Sequence, residues 1–176
     1  MTSFDFNPPE LWSFPPFFTI QPVQATRIKQ LDIWKQLILE YHMTRNLHTM
    51  TLTEFPYFEN QSIDRKLSRE GVLAVISHLI ASGNAEWEDD NRSRARIMWR
   101  TAEAVASDIY SWVTSNGYIG TVFTVYELLN GEEYSDSGFG QTDPYLFKRA
   151  LYALEKQNKC TVIEGANSDE DGVKFL

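Results

Sequence analysis

Three histidines, one cysteine and several close-set carboxylates are the side chains of this 176-residue sequence best suited to chemistry. His42 and His48 stand six apart across an expected helix end, and His78 sits mid-helix beside Leu79. No Cys or carboxylate joins them at a metal-ligand spacing. Cys160 falls in an expected strand and reads as a small buried hydrophobe. A single cysteine excludes an internal disulfide and a cysteine-based zinc site. Ser, His and Asp occur without a nucleophile elbow. Glu132-Glu133 and Asp169-Glu170-Asp171 are acidic runs without the spacing of a calcium loop, and Gly138-Phe139-Gly140 is too short to cradle a phosphate. These residues predict no enzyme, no cofactor and no metal.

The elements that hold them read as two similar halves. Residues 1–100 carry 11 basic and 12 acidic side chains, and residues 101–176 carry 5 and 12, so the acidity sits in the second half. Slid by 75 positions, the halves match in apolar period and in the order of breakers: Val72, Val75, Ile76 and Leu79 fall on Phe147, Ala150, Leu151 and Leu154, and Gly83-Asn84 falls on Asn158-Lys159. In the first half, Ile28, Leu31, Trp34, Leu37, Ile38 and Tyr41 recur at helical spacing. Thr49–Thr53 reads as a short strand and Ser62–Lys66 as a short helix. Ser68 caps a buried helix that Gly83 stops, and Ala85–Trp87 with Arg94–Trp99 makes a hairpin. In the second half, a helix through Val105, Ile109, Trp112 and Val113 ends at Asn116-Gly117. Val122–Thr124 is a strand, Val125–Leu129 a short helix, Asp143-Pro144 a helix start, and Thr161–Glu164 with Val173–Leu176 the closing hairpin. The predicted class is α+β, mostly α: two tandem winged-helix domains over 23–100 and 101–176, each three helices with a small β-hairpin wing, after an extended Pro/aromatic arm over 1–22.

A winged helix suggests a DNA-binding transcription regulator, the alternative reading. Such a protein needs surplus cations on its third helix. Ser68–Gly83 offers only Arg69, and Lys148, Arg149 and Lys156 lie in an acidic half, so direct nucleic-acid binding is not expected. No apolar run reaches the length of a membrane span, and no Lys or Arg precedes Arg27, so the start does not read as a secretory leader. A cytoplasmic location is the expectation.

The strip over residues 1–20 is unusual: Phe4, Phe6, Leu11, Trp12, Phe14, Phe17, Phe18 and Ile20 alternate with Pro8, Pro9, Pro15 and Pro16. Its aromatic content is unlike a disordered tail, and paired prolines argue against an α-helix. Pro15-Pro16-Phe17-Phe18 is expected to be stiff and extended, suited to a groove on a partner or on its own first domain. The leading reading is a partner's cavity.

These residues carry a resemblance. Phe14-Pro15-Pro16-Phe17-Phe18-Thr19-Ile20-Gln21-Pro22 resembles the start of the small winged-helix subunit of the ESCRT-II endosomal sorting complex. The similarity recurs at Arg27-x-Lys29-Gln30-Leu31-x-x-Trp34, Gly83-Asn84-Ala85-Glu86-Trp87, Ile97-Met98-Trp99-Arg100, Phe123-Thr124-Val125-Tyr126-Glu127-Leu128 and Gly172-Val173-Lys174-Phe175-Leu176. The resemblance implies a non-catalytic subunit, present in two copies, that binds two larger ESCRT-II subunits and serves multivesicular-body sorting of ubiquitinated cargo. It implies that Pro15, Pro16 and Phe18, with Phe17 at the variable place, bind those partners. It also implies that the second domain recruits and nucleates an ESCRT-III subunit through that subunit's N-terminal helix. Endosome membrane contact is then indirect, through partners.

Overall fold

The structure, a computed structural model, describes residues 6–140 and 142–176. The chain divides into two compact units between Trp99 and Arg100. Phe4, and with it the beginning of the 1–22 arm, lies outside the described residues.

In the first unit, helix α1 (Gln24–Thr44) buries Gln30, Leu31, Trp34, Leu37, Ile38 and His42. Ile28, expected on that stripe, lies beside it and is exposed. Helix α2 (Arg69–Ala81) starts where Ser68 Oγ accepts the Gly71 N–H at 3.1 Å, and it ends before Gly83, whose φ of 77° suits a residue without Cβ. His78 Nε2 lies 2.7 Å from Asp32 Oδ1 and links the two helices. That bond above all holds the Asp32 carboxyl below the usual carboxylate range. Strands β1 (Thr49–Thr51), β4 (Ala85–Trp87) and β5 (Arg94–Ile97) form an antiparallel sheet in the order β1-β5-β4, with Met50 and Trp87 both opposite Ala95. Ala95 and Ile97 face inward at the two-residue period of a half-buried strand.

Two expectations for this unit are corrected. Ser62–Lys66 is not a helix: β2 (Glu59–Asn60) pairs with β3 (Arg65–Lys66) around a 3-10 turn, Gln61–Ile63. The Asn60 side chain accepts from both N and Oγ of Ser62, and Asp64 has a left-handed φ of 52°, which breaks a helical path. The unit therefore holds two α-helices among its described residues instead of three. Pro15-Pro16-Phe17-Phe18 is not extended either; Pro15–Phe18 is a single 3-10 turn opened by proline.

His42 is 2% exposed at the end of α1, with Nδ1 2.7 Å from the Ile38 carbonyl and its ring stacked on Phe55. A carbonyl only accepts, so Nδ1 carries the proton. Burial holds the imidazole pKa below its ordinary 6.5. Below about pH 6.5 the unfolded chain takes up a proton that the native state refuses, so stability falls on acidification. The expected slope from this group approaches ~1.4 kcal/mol per pH unit. Urea unfolding between pH 7 and 5 checks it: His42→Phe should flatten the slope, and equal slopes would assign it to other groups.

The second unit holds α3 (Ala102–Ser115), α4 (Val125–Asn130) and α5 (Pro144–Lys156). Strands β6 (Val122–Thr124), β7 (Cys160–Ile163) and β8 (Gly172–Phe175) lie in the order β6-β8-β7. Thr101 caps α3, and Asp143 caps α5 with Pro144 at its first position. Thr124 and Glu127 form a reciprocal capping box at α4. Helix α5 spans positions 75 residues after those of α2, and β7 starts 75 after β4. Gly83 and Asn158, matched by the same offset, both have positive φ. In each unit the closing hairpin gains a third strand from earlier in that unit, so the sheet is wider than a two-stranded wing.

Candidate functional site

The N-terminal strip is built into the first unit. Phe17 and Phe18 are 3% and 4% exposed. The Phe17 ring stacks on Trp34, 4.3 Å between centroids and 5° from parallel, and Phe18 meets the same indole edge-on at 5.6 Å. Trp34 is itself fully buried. Gln30 locks the turn: Nε2 donates to the carbonyls of Phe17 (3.0 Å) and Thr19 (2.8 Å), and Oε1 accepts the Gln21 N–H at 3.0 Å. Trp34 Nε1 donates to the Phe17 carbonyl at 3.2 Å. Upstream, Trp12 Nε1 donates to the Tyr57 carbonyl, and Asn60 Nδ2 donates to the Trp12 carbonyl, each at 2.9 Å. Sequence reasoning misses this latch; its one signal is a polar Gln30 on the stripe of α1 that also carries Trp34.

In the free chain, two of the rings expected to serve a partner's cavity, Phe17 and Phe18, are packed on the chain's own Trp34. Phe17 and Phe18 complete this chain's own interior, Phe17 stacked on Trp34 and Phe18 edge-on to it, with Phe58 tilted against the same indole. What stays open is the other side of the turn. Phe14 is 53% and Leu11 40% exposed. Pro16 is exposed and Pro15 half-buried. A shallow cleft of about 180 Å³ opens between Leu11, Phe14, Pro16 and Gln30. Val23 and Ile28 add exposed apolar surface at the start of α1. The turn thus brings Pro15 and Pro16 to the surface while it takes Phe17 and Phe18 inside.

The second unit presents acidic and apolar side chains together. Ile119, Val122 and Tyr126, on and around β6 and the start of α4, are 46%, 57% and 55% exposed. Glu127, Glu132, Glu133 and Asp136 follow in the same stretch and are exposed. On α5, the Lys148 ammonium lies 2.6 Å from Asp171 Oδ2, and the Arg149 guanidinium stands 5.5 Å from the Tyr145 ring centre. The Lys148 charge is therefore matched within the protein, leaving α5 less cationic than its sequence implies.

The histidines stay apart: His42 is under Phe55, His48 stacks on Trp99 and His78 faces Asp32. Among the described residues no three His, Cys, Asp or Glu side chains gather where an ion could be held. Cys160 is 2% exposed, and burial pushes its thiol up to about 11, which leaves it protonated and unreactive. Among the described residues no helix is long and apolar enough to cross a membrane.

The profile of the family described as ESCRT-II complex subunit matches residues 11–143. The vacuolar protein-sorting-associated protein 25 of Xenopus laevis is 42% identical over 174 residues, covering 97% of this chain and 99% of that protein. The crystal structure of subunit VPS25 of the endosomal trafficking complex ESCRT-II superposes with a TM-score of 0.73 at 26% identity, over 96% of this chain and 98% of that one. A VPS25-like fold is also found at a TM-score of 0.70 and 25% identity in the crystal structure of endosomal complex ESCRT-II (VPS22/VPS25/VPS36), over the same shares of the two chains. With its solvent-facing Pro/aromatic turn, its paired units and these relatives, the chain belongs to the family of ESCRT-II complex subunits.

Proposed function

We propose that this protein is a non-catalytic subunit of ESCRT-II, built as two tandem winged-helix domains, that couples the larger subunits of the complex to ESCRT-III. The partners of its N-terminal face are the two larger subunits, the counterparts of VPS22 and VPS36 in the solved complex, with two copies of this chain per complex. Its second domain receives the basic N-terminal helix of an ESCRT-III subunit. It acts in the cytoplasm, recruited to the endosome membrane through its partners, in multivesicular-body sorting of ubiquitinated cargo.

The observation that carries this reading is the division of labour in one turn. Phe17 and Phe18 anchor it on Trp34, and that anchorage holds Pro15, Pro16 and Phe14 at the surface. Two prolines and a ring fixed before contact lose little entropy on docking. For the second domain the support is its excess of acidic side chains beside exposed Val122 and Tyr126, a surface suited to a basic amphipathic helix.

Co-expression with the two larger subunits tests the face. The double substitution Phe14→Ala/Pro16→Ala should cut recovery of the complex about tenfold or more, a loss of at least ~1.4 kcal/mol of binding. Its unfolding midpoint should stay near that of the parent, because these side chains bury little in the free chain. Unchanged recovery would remove the assignment.

A further inference from the structure

The first unit carries a second and larger hollow, separate from the N-terminal face. It has a volume of about 390 Å³ and is bounded by residues 52–59, β3, the start of α2 and the turn between β4 and β5. Phe55, Phe58, Leu67 and Val72 line it, each no more than 8% exposed. Three cations also line it, from three different elements: Lys66 on β3, Arg69 opening α2 and Arg92 in the turn. All three are exposed, and among the described residues none is ion-paired to a carboxylate. With Glu54 and Glu59 in the same lining, the cations outnumber the carboxylates there by one, in a chain of formal net charge −8.

Arg92 supplies an independent observation. Its φ is 55°, a left-handed conformation that glycine or asparagine adopts at lower cost. The turn is held by the Asp89 carboxylate, which accepts the N–H groups of Ser93 and Arg94. The Arg92 side chain adds only a distant approach to the Trp87 ring, 5.9 Å from its centre. The fold thus gives little reason for an arginine here, whereas the hollow beside it does.

We propose that this hollow binds a short segment of a partner protein that carries large apolar side chains next to an acidic flank. The apolar groups enter between Phe55, Phe58, Leu67 and Val72, and the carboxylates meet Lys66, Arg69 and Arg92. Guanidinium forks pair with carboxylates through two parallel hydrogen bonds, and the apolar floor shields the pair from water. Glu54 and Glu59 share the lining.

The test uses the full ¹⁵N-labelled chain and an acetylated, amidated peptide Ser-Gly-Leu-Phe-Asp-Glu-Asp-Glu, with a control bearing lysine at the four acidic places. Amide shifts should gather at residues 52–58, 66–73 and 92–94 with the acidic peptide and not with the control. Lys66→Glu/Arg69→Glu should weaken binding about tenfold or more, since each reversal turns attraction into repulsion. Arg92→Gly should weaken it too while leaving the melting temperature unchanged or raised, because glycine relieves the positive φ. Equal shifts with both peptides, shifts centred elsewhere, or variants that bind like the parent would overturn the proposal. So would co-sedimentation with phosphatidylserine vesicles in the absence of any peptide shift at millimolar concentration.

Discussion

Phe18→Ala is expected to destabilise the first unit by about 3–5 kcal/mol, the range for truncating a buried phenylalanine. The side chain is 4% exposed and packs edge-on against Trp34, which in turn touches Phe17 and Phe58. Removing it opens a cavity among rings that belong to α1, the Pro15–Phe18 turn and the Pro56–Phe58 turn, and the Trp34 indole cannot move to fill it. Phe14→Ala, four positions earlier, should change stability by less than about 0.5 kcal/mol, because that ring is half in solvent. Urea unfolding followed by tryptophan fluorescence separates the two. A cost under about 1 kcal/mol for Phe18→Ala would show that the strip is not part of the interior.

The same difference in burial separates two routes for the proposed docking of the turn. A partner that captured Phe17 and Phe18 in its own cavities would first have to withdraw both from this core. That costs about 1.5–3 kcal/mol for each ring, and it breaks the hydrogen bonds from Gln30 and Trp34 to the Phe17 carbonyl. Contact through Phe14, Pro15 and Pro16 needs no such withdrawal. A loss of complex on Phe18→Ala would therefore report a collapsed turn, whereas a loss on Phe14→Ala/Pro16→Ala with stability intact would report a lost contact.

The sequence carried most of the helical framework, because caps and stops act locally. Ser68 and Asp143 each cap the helix expected of them, and Gly83 and Gly117 stop theirs with φ values of 77° and 73°. Non-local partners decided the remainder. Ser62–Lys66 has helical composition, but the Asn60 side chain competes for Ser62 and turns the segment into a hairpin. The aromatic strip is recognisable as sticky from its composition, yet which way its rings face depends on Trp34, a residue 16 positions beyond Phe18, and on Gln30 beside it. Asp171 was likewise hidden within an acidic run. Asp169 and Glu170 are exposed, whereas Asp171 turns inward to meet Lys148, a charge 23 positions away.

That inward turn supports the second large effect. Asp171 is 3% exposed and ties three parts of the second unit together. Oδ2 takes the Lys148 ammonium of α5 at 2.6 Å, Oδ1 accepts the Gly165 N–H at 2.9 Å, and its carbonyl accepts the Val125 N–H at the start of α4 at 2.8 Å. Gly165 can come so close only because it lacks Cβ; an added one would meet the Glu170 carbonyl at 2.5 Å. The Lys148 hydrogen bond, foremost, holds the Asp171 carboxyl below its ordinary range, and the same bond raises the Lys148 pKa. Lys148→Met should cost about 2 kcal/mol, below the 3–5 typical of a fully buried pair because the ammonium keeps partial access to water. A lowered carboxyl pKa contributes stability above the unfolded value near 4, lost as pH falls through the folded value, and a raised lysine pKa contributes stability lost only above the ordinary lysine range. In Lys148→Met the Asp171 pKa rises, so acid unfolding should begin at higher pH than in the parent. Adding Asp171→Asn removes the stranded charge and should restore part of the loss. If the double variant proved as unstable as the two single losses summed, the pair would not be coupled, and the closing hairpin would owe its position to the β8 ladder alone.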